Sequence, residues 1–174
     1  MDNQVLFKFI EEIRLECRFA KLAYEQLRSC GPSWDPERTF LAAHALLTHA
    51  ANVSRLFWPE RPSSQARGER LRAELSVPDT SPLRQQDWAR KLAQSDAHYE
   101  DWLNRLERPG YADFNVMARG TMQGYKQDRF QRDLDPETGR LVFREDTCDL
   151  RQLAEELHRL EGRAQAWFNT HRPW

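Results

Sequence analysis

Apolar side chains in the first 30 residues recur at the spacing of an amphipathic helix. Their steps of three and four place them on one face, which is the arrangement of a helix that buries one side. The stripe consists of Leu6, Phe9, Ile10, Ile13, Cys17, Ala20, Tyr24 and Leu27. Gly31 and Pro32 end the pattern, because neither residue continues a helix easily. The sequence therefore predicts one long first helix with a single buried face.

A second helix is predicted to begin in the segment WDPER. Asp35 can cap its first turn, and Pro36 occupies a position where no backbone N–H is needed. Glu37 lies at the positive end of the helix dipole. Apolar side chains then cover most of the circumference as far as Trp58-Pro59, which ends the helix. This distribution is typical of a central helix that packs on several sides.

Two further helices are predicted in the next part of the chain. The segment GERLRAELSV follows a loop and forms a short third helix, and PDTSPLRQ repeats the cap-and-proline signal that begins a fourth. The fourth helix carries a stripe in alternating steps of four and three, with one polar member. It consists of Trp88, Leu92, Ser95, Tyr99, Trp102 and Leu106. We expect this aromatic seam to lie in the core or at a dimer contact.

The helical period disappears after Gly110. The segment YADFNVMARGTMQGYKQDRF is predicted to be irregular, and RFQRDLDPETGRLVFRE is typical of a β-hairpin that turns between Asp135 and Gly139. A last helix follows a cap at Thr147 or Asp149. We thus predict an all-α fold with a single helical-bundle domain over residues 1–174. It has four main helices, a short extra helix and a β-hairpin insertion at about 109–146 before the last helix.

The composition removes several classes of function. The formal net charge of −1 gives no general attraction to nucleic acid or an anionic membrane, although a local arginine cluster stays possible. The segment MDNQVLFKFIEEIRLE has acids among its apolar positions, so it predicts neither a signal peptide nor a membrane span. Three widely spaced cysteines, Cys17, Cys30 and Cys148, fit reduced thiols. We expect a soluble, cytoplasmic protein with no membrane partner.

The histidines are the first candidates for chemistry. His44 and His49 are five positions apart, so on a helix they point about 140° apart and cannot easily bind one ion. A carboxylate-bridged di-iron bundle needs Glu-x-x-His twice, and the chain holds this unit once, at Glu155 to His158. A mononuclear metal site built from His44, His98 and His158 stays open as an alternative. We otherwise expect no metal or cofactor, and we interpret His49 as structural.

Motifs for nucleophilic catalysis and nucleotide binding are missing from the sequence. No serine lies in a Gly-x-Ser-x-Gly turn, and Cys17 belongs to the apolar face of the first helix. The segment ARGTMQG lacks the lysine and the strand–helix context of a phosphate-binding loop. We therefore expect none of these catalytic or binding sites.

Arginine and histidine occur together on two of the predicted helices. A guanidinium can hold a phosphate and an imidazole can move a proton, which are the two needs of metal-independent RNA cleavage. Arg38 precedes His44 on the second helix, and Arg90 precedes His98 on the fourth. Each pair has a structural alternative, in which the arginine is solvated and the histidine contributes to packing.

The order and pattern of these segments resemble uncharacterised bacterial proteins of the HEPN-like family. The resemblance rests on the long first helix, the segment FLAAHALLTHAANVSRLFWP, the arginine-containing fourth helix and the tail DPETGRLVFREDTCDLRQLAEEL, and it spans most of residues 5–168. It implies a helical bundle, commonly a homodimer, of the kind found in toxin–antitoxin, abortive-infection and phage-defence systems. Many members are metal-independent ribonucleases with an arginine, four to six intervening residues and a histidine.

The matching helix of this chain departs from the family's arginine–histidine motif. Arg90 matches the arginine, and Lys91 stands where asparagine is usual. Ser95 occupies the place of the histidine, and His98 lies one turn beyond it. The resemblance implies that Arg90 binds the scissile phosphate and that His98 is the general acid or base. In this scheme Ser95 or Asp96 orients the RNA.

The sequence leaves several functions open. Arg38 and His44 satisfy the family's spacing in a different helix and form a second candidate catalytic pair. The departures from the family's motif around Arg90 and His98 are also those expected of a catalytically degenerate member. The competing prediction is a non-catalytic helical module for protein interaction or dimerisation. The partners that these hypotheses imply are a second copy of the chain, an RNA substrate and a protein such as an antitoxin.

Overall fold

The computed structural model describes residues 2–31, 35–84, 95–105, 112–117, 129–143 and 146–171. These ranges contain five α-helices, namely α1 (Asn3–Ser29), α2 (Pro36–Phe57), α3 (Gln65–Glu74), α4 (Ser95–Arg105) and α5 (Leu150–Thr170). Single 3-10 turns lie at Pro62–Ser64 and Pro82–Arg84. The strands are β1 (Ala112–Val116), β2 (Phe130–Asp135), β3 (Arg140–Phe143) and β4 (Asp146–Asp149). In these parts of the chain no helix has the length and apolar composition needed to cross a membrane.

Aspartate side chains cap the three long helices. Asp2 caps α1, Asp35 caps α2 and Asp149 caps α5, each by accepting a hydrogen bond from a backbone N–H two or three residues further on. Such a bond satisfies a donor that has no partner within the helix. The predicted cap at Asp35 is confirmed, and of the alternatives for the last helix the structure uses Asp149 rather than Thr147.

The core lies where α1 packs between α2 and α5. α1 contacts both neighbours along much of its length, whereas α2 and α5 touch each other much less. The predicted apolar stripe of α1 faces these neighbours, and Ile10, Ile13 and Cys17 are buried. α2 also contacts α3 and β1, so the prediction of a helix packed on several sides is confirmed.

The hairpin predicted between Asp135 and Gly139 is present, but it is half of a larger sheet. β2 and β3 pair antiparallel across a turn in which Gly139 has a φ of 77°. β1 pairs with β2 in parallel and β4 pairs with β3 antiparallel, which gives the order β1-β2-β3-β4. The predicted all-α class is therefore wrong, because the described residues combine five helices with a four-stranded mixed sheet.

The two missed strands are short and lack local signals for their pairing. In the register of β1 and β2, Ala112 lies opposite Phe130, which is far along the chain. Periodicity within a short window does not reveal such a non-local pairing. β4 contains only the four residues DTCD, directly before α5, and none of them is β-branched except Thr147.

One face of the sheet packs against α2. Phe114, Arg132 and Phe143 are register partners in one row across β1, β2 and β3. Phe40 of α2 stacks on Phe114 with ring centroids 5.4 Å apart, and His44 meets Phe143 edge-on at 5.5 Å. The sheet thus covers a face of α2 different from the one that contacts α1.

The predicted fourth helix is described in part. Pro82 begins a 3-10 turn, and α4 begins later, at Ser95. Within α4 the seam residue Trp102 is buried, and Tyr99 stacks on it at a centroid distance of 6.0 Å. Of the other predicted seam residues, Ser95 is the first residue of α4, and Trp88, Leu92 and Leu106 lie outside the described residues.

Candidate functional site

Of the arginine–histidine pair predicted on the fourth helix, the structure describes only the histidine. Arg90 lies outside the described residues. His98 is half-buried on α4, and its Nε2 atom is buried without a hydrogen-bond partner among the residues described. Ser95 is the first residue of α4, and Asp96 beside it is exposed. The catalytic roles of these residues stay predictions.

The second predicted pair is not brought together. Arg38 is exposed in the first turn of α2. His44 lies about 9 Å further along the helix axis and about 120° around it. In the described ranges no hydrogen bond or ion pair joins the two side chains, and the cation that acts on His44 is Arg132 of β2.

His44 lies in an aromatic and cationic environment between α2 and the sheet. The Arg132 guanidinium lies over the rings of Phe114 and Phe143, at 5.3 and 5.7 Å from their centroids. Burial, and secondly the charge of Arg132, lower the pKa of His44 from 6.5 to about 4. A histidine with this pKa is poorly matched to general acid–base catalysis near neutral pH. We therefore interpret His44 as a packing residue.

The structure does not gather the candidate metal ligands. Within the described residues no group of three or more His, Cys, Asp and Glu side chains is placed to hold one ion. His44 packs on the sheet, His98 lies on α4 and His158 is exposed on α5. The mononuclear site that these three histidines could have built is not formed.

His49 belongs to a hydrogen-bonded network between α1 and α2. Its Nδ1 atom lies 2.7 Å from one carboxylate oxygen of Glu16. The other oxygen of Glu16 accepts a hydrogen bond from Asn52 at 3.1 Å, and Arg55 donates to Asn52 at 2.6 Å. Glu16 is only 9% exposed, and the network gives both of its carboxylate oxygens a hydrogen-bond partner, as a buried polar group requires. The network fixes the His49 ring at the outer surface of the two helices.

A row of exposed apolar side chains runs beside this network on α1. Leu15, Phe19 and Leu22 are 40%, 41% and 61% exposed. Steps of four and three keep them on one side of the helix, opposite the buried stripe. The Phe19 ring packs against the His49 ring with centroids 5.2 Å apart. We call Leu15, Phe19 and Leu22 the outer ridge of α1.

Charges of opposite sign lie along one edge of the outer ridge. Arg18 and Glu25 are both exposed, and they are seven positions apart, so they lie on the same edge of the ridge about two turns from each other. Glu25 also makes a long, exposed ion pair with Lys21, at 4.0 Å. Such a pair contributes little and leaves Glu25 able to bind another cation. An apolar row with charges of both signs along its edge is typical of a helix–helix contact.

The sequence carries the signal for the outer ridge but not for the network. The positions 15, 19 and 22 form a second apolar row on a helix whose first row already accounts for the core. Glu16 bonds to His49 across 33 positions of the chain. Helical periodicity does not reveal a contact of that kind.

An open cleft of about 1170 Å³ lies beside the N-terminal turns of α1. Several of its polar side chains already bind one another or a neighbour. Trp167 donates its ring N–H to Glu74 at 3.0 Å, and Arg70 donates to Asn3 at 3.0 Å. Among the residues described, no histidine of this cleft pairs with an arginine or a carboxylate, so it contains no acid–base pair.

Comparisons with known proteins give no match from which a function could be inferred. No family model matches the sequence, and no curated protein or solved structure is significantly similar to it. The outer ridge of α1 and its neighbouring network form the candidate site.

Proposed function

We propose that this chain is a helical protein-interaction module that self-associates through the outer ridge of α1. The observation that carries the proposal is the exposed row of Leu15, Phe19 and Leu22. Burial of such a side chain contributes about 1.5–3 kcal/mol relative to full exposure. Because these side chains are only partly exposed, burial of each one contributes a fraction of that free energy. A partner that covers all three is therefore favoured.

The charges beside the ridge favour a second copy of the same chain as that partner. We consider two α1 helices that pack antiparallel about a two-fold axis near position 21. Arg18 of each copy then faces Glu25 of the other copy, and Phe19 packs beside Leu22 of the other copy. The surface is complementary to itself in charge and in its apolar row, which a two-fold interface requires.

The network behind the ridge supports the same contact. Glu16 holds the His49 ring, and this ring packs against Phe19. Phe19 therefore has little side-chain freedom to lose when it is covered. A smaller loss of freedom makes association more favourable.

The HEPN-like resemblance is consistent with self-association, since it implies a homodimer in a bacterial defence or toxin–antitoxin system. The four-stranded sheet is not part of the all-helical bundle that this resemblance implies. The resemblance therefore supports the proposal through the helices alone. Ribonuclease activity through Arg90 and His98 remains a prediction of the resemblance.

Sedimentation equilibrium of the full chain at micromolar concentration tests the proposal. We expect the mass of two chains for the wild type and of one chain for Leu22→Glu. The substitution places a charge in the apolar contact, where burial of an unpaired carboxylate is costly, and we expect association to weaken by at least about 100-fold.

Val5→Glu is the matched control for this experiment. Val5 is 45% exposed on the same helix. In the antiparallel pair it lies beyond the end of the other α1, so Val5→Glu should retain the dimer mass. A monomeric wild type, or a dimer for Leu22→Glu, would contradict the proposal.

A further inference from the structure

A small cavity lies where the end of α1, the turn between β2 and β3 and the start of α5 meet. Its volume is about 180 Å³, below the range of about 300–1,000 Å³ usual for organic ligands. Its floor consists of the buried side chains Leu27, Leu134 and Leu150. Its rim carries the polar side chains Tyr24, Arg28 and Arg151. Only a small ligand, or the end of a larger one, fits this space.

The two guanidinium groups at the rim have no acidic partner. In the described part of the chain, Arg28 forms no hydrogen bond or ion pair, and Arg151 donates a single hydrogen bond, to the carbonyl oxygen of Pro136 at 3.1 Å. No carboxylate is among the described side chains that line the cavity. Two like charges at one cavity repel each other, and an anion between them would stabilise both.

Arg151 occupies an unfavourable place for a cation. It is the second residue of α5, where the positive end of the helix dipole disfavours a positive side chain. The first turn of α5 contains no acidic residue. The N-cap Asp149 accepts a hydrogen bond from Gln152 at 2.9 Å, and the described contacts include no ion pair between Asp149 and Arg151.

Gly139 allows the Arg151 side chain to cross the turn between β2 and β3. The φ of Gly139 is 77°, a conformation that other residues rarely adopt. A Cβ atom at this position would lie 2.6 Å from Cγ of Arg151. Glycine at this position and the hydrogen bond to Pro136 together keep the guanidinium of Arg151 at the rim of the cavity.

We propose that this cavity binds a tetrahedral oxyanion of the phosphate type. Arginine side chains bind phosphate and sulfate through charge-assisted hydrogen bonds. The hydroxyl of Tyr24 has no hydrogen-bond partner within the described ranges and can donate one hydrogen bond to the anion. The bound ion neutralises the charges of Arg28 and Arg151, and it links the turn between β2 and β3 to α1 and α5. The chemistry is the same for a free ion and for the terminal phosphate of a larger molecule.

Isothermal titration calorimetry of the full chain tests the site, with inorganic phosphate, sulfate and AMP as probes at constant ionic strength. We expect one binding site per chain. Binding of AMP assigns the cavity to a terminal phosphate group, and binding of phosphate or sulfate without AMP assigns it to the free ion. If none of the three probes binds, the proposal is overturned.

Four variants locate the binding. Arg28→Gln and Arg151→Gln should each weaken it by at least about tenfold. Tyr24→Phe should weaken it by about two- to fivefold, and because this change removes one hydroxyl it tests the cavity even if an arginine variant fails to fold. Arg38→Gln is the matched control, since Arg38 is another exposed arginine in the first turn of a long helix. Unchanged binding in the cavity variants, or an equal loss in Arg38→Gln, overturns the proposal.

Discussion

His44 is held uncharged by its surroundings. Burial removes the water that would stabilise a protonated imidazole, and the nearby Arg132 guanidinium opposes a second positive charge, so the pKa of His44 falls to about 4. The neutral ring packs edge-on against Phe143 of β3. The contact between α2 and the sheet therefore depends on a neutral histidine.

The free energy of unfolding should fall in acid because of His44. Its pKa of about 4 in the folded chain lies below the ordinary value of 6.5, so the folded state binds fewer protons between these values and stability rises with pH there. The full contribution is present above pH 6.5. It is lost as the pH falls to about 4, and it amounts to at most about 3 kcal/mol. Urea denaturation across this pH range measures it.

His44→Gln should remove this part of the pH dependence. His158→Gln is the control, because the His158 side chain is 71% exposed on α5 and should leave the wild-type dependence in place. The same acid-induced loss of stability in the wild type and in His44→Gln would contradict this account of His44.

His49 contacts the outer ridge of α1 through Phe19. Its ring is held by Glu16 and packs against the Phe19 ring. His49→Ala should leave Phe19 freer and raise the dissociation constant of self-association by about three- to tenfold, because the Phe19 side chain must then be ordered on association. Sedimentation equilibrium measures the constant, and His158→Ala serves as the control. An unchanged constant in His49→Ala would mean that the network does not support the contact.

The two glycines inside helices α3 and α5 should respond oppositely to alanine. At Gly162 in α5 a Cβ atom meets nothing, so Gly162→Ala should raise the free energy of unfolding by about 0.5–1 kcal/mol. At Gly68 in α3 a Cβ atom would overlap the carbonyl oxygen of Phe57 and lie 2.7 Å from Cδ of Pro59. Gly68→Ala should therefore lower the free energy of unfolding by about 1–3 kcal/mol. Urea denaturation checks both, and changes of equal sign would count against the packing of α3 on α2.

The long helices are predictable because their signals are local. The buried stripe of α1 and the cap at Asp35 are formed by residues within, or directly before, the helix that they predict, and the structure contains both. The sheet depends instead on pairing between distant segments, such as β1 with β2. The pattern along one short segment therefore predicts the β2–β3 hairpin, whose turn is local, but it does not predict β1 and β4.

Which apolar row of α1 stays exposed becomes apparent only at the scale of the whole molecule. α1 carries two apolar rows, and which of them is buried depends on where α2 and α5 lie. Leu22 is left exposed on the side that these helices do not cover. The roles of His44 and His49 depend in the same way on Arg132 and Glu16, which are distant in the sequence. The spacing of residues on one helix could not predict these partners.

Charge reversal on α1 tests the proposed antiparallel self-association most directly. Arg18→Glu and Glu25→Arg should each weaken the dimer by about tenfold, because each turns two attractive contacts across the interface into repulsive ones. The double variant should restore the wild-type affinity, since it exchanges the two charges. Sedimentation equilibrium of the four chains measures the dissociation constants. Equal constants in all four, or a double variant no tighter than the single ones, would contradict the account.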